Sequence, residues 1–152
     1  MRIGLDMMGG DYAPQEAVKG ISLYLSEQGA ASHLVLLGDE EQVRPLLKEH
    51  GLDQHDFTIV HAPQVIDMHE HPTKALKEKQ QSSIAVGFHL LAGGKIDALI
   101  SAGNTGAMMV GALFSIKALP GIHRPTIGAY MPRENGKLGF MLDAGINADC
   151  KT

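Results

Sequence analysis

The sequence predicts an α/β protein: a mostly parallel sheet in three layers, with helices on both faces. Two observations carry this. Strand-length apolar runs (Ile3–Leu5, Leu34–Leu37, Phe57–Val60, Ala98–Ile100) alternate with stretches whose apolar residues recur at helical spacing. The joints are built from glycine, proline, aspartate and serine, the residues of turns and helix caps. Strands separated by helices run parallel, and the helices cover both faces of their sheet.

The elements follow in order. Ile3–Leu5 is the first strand. Pro14 opens a helix with Ala17, Val18, Ile21, Tyr24 and Leu25 on one face. Leu34–Leu37 is the second strand. The next helix has Asp39 as N-cap, Glu40 and Glu41 in its first turn and Gly51 past its end. Pro45 lies inside it, so a kink or a late start is expected. Phe57–Val60 is the third strand and 62–71 an irregular loop. Pro72 opens a basic helix through Lys79. Ser82 or Ser83 caps a helix over Ile84–Ala92, which Gly93-Gly94 closes. Ala98–Ile100 is the fourth strand. Thr105–Leu119 is helical and apolar nearly all round, so burial is expected. Thr126–Tyr130 and Leu138–Leu142 are the last strands, joined by the hairpin-like turn Arg133-Glu134-Asn135-Gly136.

Composition narrows the class. The 152 residues suffice for one domain with a core, and 44% hydrophobic with 20% charged residues is ordinary for a globular chain. No apolar run is long enough to cross a bilayer. Asp6 stands where a signal peptide needs apolar residues, so a cytoplasmic location is expected. The single cysteine, Cys150, allows no internal disulfide and fits a reducing compartment. Charge is uneven. Residues 1–71 hold 4 Lys/Arg against 12 Asp/Glu, and residues 72–152 hold 9 against 5. The basic half favours an anionic ligand. Aromatics are only 5% and no Lys/Arg stripe appears, so nucleic acid is not an expected partner. The chain stops at Lys151-Thr152 directly after a strand and a turn, as expected of a fragment of a longer protein.

Ser101-Ala102-Gly103-Asn104-Thr105-Gly106-Ala107 is the most informative stretch. A strand ending in a glycine turn that opens a helix aims unpaired N–H groups at one point, and the helix dipole adds positive character. Ser101, Asn104 and Thr105 add side-chain donors. Gly103 and Gly106 allow close approach. The same segment also reads as an ordinary strand-to-helix turn. Asp6-Met7-Met8-Gly9-Gly10-Asp11-Tyr12-Ala13-Pro14 lies at the same sheet edge. Asp6 could orient a lysine or bind a hydroxyl there, and Gly9-Gly10 could admit a ligand, or Asp11 could simply cap the helix. Lys74 and Lys77, at i, i+3 spacing, and Lys79 lead to Ser82-Ser83. They are either phosphate contacts or a solvated face. Asp143 and Asn147, after the last strand, either converge on the same cleft or belong to a plain turn.

Other signals are weak. His69-Glu70-His71 lacks the Cys/His partners of a zinc site, so neither metal nor cofactor is expected. His33, His50, His55, His61, His89 and His123 are scattered, and Cys150 has no evident activating neighbour beyond Lys151. The chain holds no Walker-type Gly-x-x-x-x-Gly-Lys motif, no Gly-x-Gly-x-x-Gly fingerprint and no Gly-x-Ser-x-Gly elbow.

Asp6–Pro14, Ser101–Ala107 and Leu142-Asp143-Ala144-Gly145-Ile146-Asn147-Ala148-Asp149 together resemble the bacterial acyl-ACP:phosphate acyltransferase family, PlsX. Ser82-Ser83 and Gly121-Ile122-His123-Arg124-Pro125 extend the match from Met1 to Thr152. The resemblance implies the N-terminal half of a single α/β domain resembling isocitrate and isopropylmalate dehydrogenases. It also implies a reaction, in which inorganic phosphate attacks the thioester of a long-chain acyl-carrier protein and yields acyl phosphate for phospholipid synthesis. Members are homodimers that associate peripherally with the membrane. Many carry arginines ahead of the serine pair, where this chain has Lys77 and Glu78, so a bidentate grip on phosphate is not carried over.

On this reading Ser101, Gly103, Asn104, Thr105 and Gly106 hold phosphate or the oxyanion, with Gly9, Gly10, Asp11 and Asn147 lining the cleft. Ser82, Ser83 and Lys77 supply charge and hydrogen bonds, and Asp6 and Asp143 orient lysines or the turn. Asn104, Lys77 and Asp6 are the candidate catalytic residues. Other readings are a CoA-dependent phosphotransacetylase, an NAD-dependent dehydrogenase, and a non-catalytic module that binds an acyl ligand or a partner.

Overall fold

The computed structural model describes residues 1–29, 31–122 and 125–145. His123, Arg124, Asn147 and Cys150 lie outside them. The chain divides into two compact units, Met1–Lys117 and Ala118–Thr152.

The first unit is built on four parallel strands in the order β3-β2-β1-β4. These are β1 (Arg2–Asp6), β2 (His33–Gly38), β3 (Thr58–His61) and β4 (Ala98–Ile100). β1 is central. Ile3 pairs with Leu34 on one side and Ala98 on the other. All four strands therefore end at one edge, where ligands of such sheets bind.

Alternation along β2 divides its side chains between the two faces. Leu34 and Leu36 join Val18 and Ile21 of α1 (Gln15–Gln28) and Val43 and Leu47 of α2 (Glu40–Glu49). Val35 and Leu37 turn the other way, toward Ile96 and toward Leu90 and Leu91 of α4 (Ser83–Ala92). Outside α4, a further cluster joins Ala75 of α3 (Pro72–Glu78) and Ala107 of α5 (Thr105–Ser115) to Ile66, Ile84 and Phe88. This is the three-layer arrangement that the sequence predicts.

Four details differ from expectation. α2 starts on time at Glu40 and runs through Pro45. Its cap, Asp39, accepts from the Glu41 N–H at 3.1 Å, and Val43 and Leu47 are buried, which together outweigh the one missing donor. α3 ends at Glu78, so Lys79 stands beyond the helix rather than on its basic face. α5 ends at Ser115, where Lys117 takes a left-handed φ of 69°, and it is not buried all round. Ala107 and Gly111 face inward, while Leu113 is partly exposed and Phe114 is 72% exposed. Helical apolarity shows which side chains favour burial, but among the described residues α3, α4 and the 62–71 loop cover one side of this helix. Finally, Asp11 caps nothing. Pro14 holds the N-cap position of α1 with no side-chain hydrogen bond.

The second unit is an antiparallel hairpin of β5 (Gly128–Pro132) and β6 (Leu138–Leu142). β5 lies two residues later than predicted. The tight turn returns the chain through Gly136 N–H to Arg133 O at 3.0 Å, with Gly136 at φ 73°. Tyr130 and Phe140 pack edge to face at 5.5 Å.

Candidate active site

Three segments meet beyond the carboxyl ends of β1, β3 and β4. At the centre is Asp6, only 3% exposed. Its Oδ1 accepts the N–H groups of Met8 and Gly9 at 2.9 and 3.0 Å, which bends the chain sharply as it leaves β1. Its Oδ2 accepts the Ser101 hydroxyl at 2.7 Å, and Ser101 Oγ accepts the Gly103 N–H at 3.0 Å. One buried carboxylate thus ties the β1–α1 turn to the β4–α5 turn across 95 residues. A buried charge is tolerable only with such partners.

The two turns touch through backbone. A Cβ on Gly9 would lie 2.6 Å from Gly103 N and 2.9 Å from Gly103 Cα, and it would also strike Asp6 Oδ2. Glycine is required by this approach. Gly10 takes φ 110° and lies against Ala102. Asp11, Tyr12, Ile100 and Ala102 border a cavity of about 360 Å³ there.

Asn104 is the N-cap of α5. Its Oδ1 accepts the Ala107 N–H at 2.9 Å. Its Nδ2 donates toward the carbonyls of Asp67, Met68 and Glu70, at 2.9, 3.3 and 3.2 Å. Two of the three side-chain donors expected to face a ligand, Ser101 and Asn104, are thus turned inward. Thr105 remains exposed. The N–H groups of Thr105 and Gly106 open the helix and have no intrahelical acceptor. The first turn of α5 carries no acid.

The serine pair lies beside the 62–71 loop, where Ser82 forms a parallel bridge with Gln64. Ser82 is fully buried as the N-cap of α4 and accepts the Ala85 N–H at 3.3 Å, and Ser83 is buried beside it. Lys77 lines a groove of about 450 Å³ between α3, α4 and α5, bordered by Leu76, Phe88, Val110 and Phe114. Neither Lys77 nor Ser82 hydrogen-bonds to the β4–α5 turn. Asp143 belongs to the second unit and takes φ 56°.

Sequence reasoning read 62–71 as an irregular loop and gave it no part in the site. Lys79 Nζ donates to Val65 O at 2.7 Å and pairs with Glu70, whose carboxylate also accepts the Asp67 N–H at 2.7 Å. The ammonium, then that N–H, hold the Glu70 carboxyl below its ordinary pKa. Across a cavity of about 300 Å³ the loop faces Met8, Gly10 and Asp11. The available signal was Lys79 itself, a cation directly beyond a short helix.

A parallel sheet with an acid-free, glycine-lined helix start at its carboxyl edge defines an α/β protein suited to an anionic ligand at that edge. The chain belongs to the family described as fatty acid synthesis protein, which matches residues 1–152. It is 45% identical over 151 residues to the phosphate acyltransferase of Chlorobaculum parvum, covering 99% of this chain and 44% of that protein. It is 48% identical over 154 residues to the phosphate acyltransferase of Pelotomaculum thermopropionicum, covering 43% of it. The chain therefore spans less than half the length of these curated relatives. Among solved structures, a phosphotransacetylase from Streptococcus pyogenes superposes with a TM-score of 0.70 at 28% identity, over 99% of this chain and 48% of that one.

Proposed function

We propose that this chain forms the N-terminal half of an enzyme that transfers a fatty acyl group from acyl-carrier protein to inorganic phosphate. The observation that carries the reading is identity of 45% to a phosphate acyltransferase along nearly the whole chain. The clasped turns that hold Gly9, Gly10, Ser101 and Gly106 at one sheet edge support it.

In this mechanism a phosphate oxygen bonds to the thioester carbonyl carbon, and the carbonyl π electrons move to oxygen. As the tetrahedral intermediate collapses, the C–S bond breaks. Sulfur leaves with the electron pair and takes a proton from water. Phosphate is already anionic near neutral pH, so the protein has to position it and stabilise the oxyanion. The Thr105 and Gly106 N–H groups and the Thr105 hydroxyl suit that task. Asp6 holds the turns and does not act as a base, since a carboxylate beside phosphate is repelled and this one is already bonded to three donors. Lys77 contributes charge, and Ser82 and Ser83, buried at the start of α4, position that helix. The enzyme works as a cytoplasmic homodimer, peripheral at the membrane, with acyl-carrier protein as its protein partner. No described helix is long and apolar enough to cross a membrane.

The test is an assay of the full-length enzyme with long-chain acyl-carrier protein, with and without inorganic phosphate. Phosphate-dependent loss of the thioester, with acyl phosphate trapped by hydroxylamine, is expected. Thioester loss that does not depend on phosphate overturns the reading. The likeness to a phosphotransacetylase favours one second reading, with acetyl-CoA as donor. Preference for acetyl-CoA over the acyl-carrier protein in the same assay would select it.

A further inference from the structure

We infer that the 65–70 loop is a third wall of the phosphate site, with Asn104 and Lys79 as its positioning residues. This rests on the proposed phosphate chemistry. An asparagine side chain has one carbonyl oxygen and two N–H hydrogens. In Asn104 the oxygen caps α5 through Ala107, and both hydrogens face a fan of three loop carbonyls. The residue is 5% exposed. No N–H is left over for an anion, so Asn104 acts through the loop it holds.

The loop is fastened at both ends. Lys79 grips it from the α3 side through Val65 O and Glu70. Between these anchors Ile66 is buried against Ala75, Ile84, Phe88 and Ala107, so the loop and the first turn of α5 share one apolar support. Its outer side, Val65–His69, stands across the 300 Å³ cavity from Gly10 and Asp11. One asparagine therefore sets the start of α5 and the wall opposite the β1–α1 turn together. A shift of the loop changes the width of the anion site and is felt at the start of α5 through Asn104.

Two variants of the full-length enzyme test this. Asn104→Ser keeps a capping oxygen and no charge but lacks the amide that reaches the loop. Lys79→Met releases the other anchor and lies outside the turn. In each, KM for inorganic phosphate should rise by about tenfold, the scale of one lost hydrogen-bonded anchor. kcat should change less, and hydrogen exchange at the His69 and Glu70 amides should accelerate. In the unmodified enzyme, inorganic phosphate should slow exchange at those amides. That readout needs no acyl transfer, so the wall survives if phosphate protects the loop of an enzyme that fails the transfer assay. A loosened loop with unchanged phosphate KM in both variants overturns the inference. So does a loss confined to kcat in Asn104→Ser with Lys79→Met at wild-type values, which would make Asn104 a direct oxyanion donor.

Discussion

Two strand-to-helix turns stand at the same sheet edge, and they spend their helix starts differently. After β2, Asp39 caps α2, and Glu40 and Glu41 fill its first turn. Arg44 then pairs with Glu40 at 2.7 Å. The positive end of that helix is already neutralised by its own side chains. After β4, a neutral Asn104 caps α5, and Thr105 and Gly106 follow with no acid in the first turn. Geometry is shared and charge is not. A helix start left without internal anions is the one available to an anion from outside.

The comparison can be broken most severely at Asp6. Asp6→Ala leaves the N–H groups of Met8 and Gly9 and the Ser101 hydroxyl without their acceptor. A stability loss of about 3 kcal/mol is expected, with turnover abolished, as read by denaturant unfolding and the phosphate-dependent assay. Gly9→Ala comes next. Its Cβ would meet Gly103 backbone at 2.6 Å, which forces the two turns apart. About 1–3 kcal/mol should be lost, together with a higher phosphate KM.

Thr105→Glu sharpens the contrast by giving α5 the acid that α2 has. Thermal unfolding should show α5 stabilised by about 0.3–1 kcal/mol, while phosphate binding by calorimetry weakens. A more stable protein that binds phosphate less well is an outcome that loss of packing cannot produce. Asp39→Ala should lower the melting temperature slightly and leave turnover unchanged.

The smallest effect is acid response. The Gln42 side chain, then the Glu41 N–H, hold the Asp39 carboxyl below its ordinary pKa. The cap therefore adds stability above the unfolded-state value and loses it as pH falls through the lower folded-state value. Asn104 has no proton to gain. Protection of the Glu41 amide should fall on acidification below the ordinary aspartate range, while the cap bond to Ala107 N–H keeps its strength. Equal loss at both amides would show that global unfolding, not the cap, is being read.

The sequence announced most of this edge. Alternating short apolar runs and helical stretches gave the four parallel strands, and Ser101–Gly106 and Asp6–Pro14 stood out as turns rich in glycine and donors. What it concealed was direction. A serine or asparagine displays its donors in the sequence, but not that they point inward to Asp6 or to main-chain carbonyls at Asp67, Met68 and Glu70. Those carbonyls belong to an irregular loop with no periodicity to read. The apolar run of α5 likewise could not reveal which side chains lack a cover, as Phe114 does in the first unit.

The strand order carries a consequence for how the molecule assembles. Along the chain β1 precedes the other three strands of its sheet, and β4 follows them. The Asp6–Ser101 bond closes a separation of 95 residues. During synthesis the open flank of β1 must wait until Ile100 has emerged, and contacts so distant in sequence form slowly. The Asp6–Ser101 clasp is thus completed among the last events of folding in this unit. A chain stalled before residue 98 would hold α1 and α2 in place around a bare strand edge, a state prone to pair with its own kind.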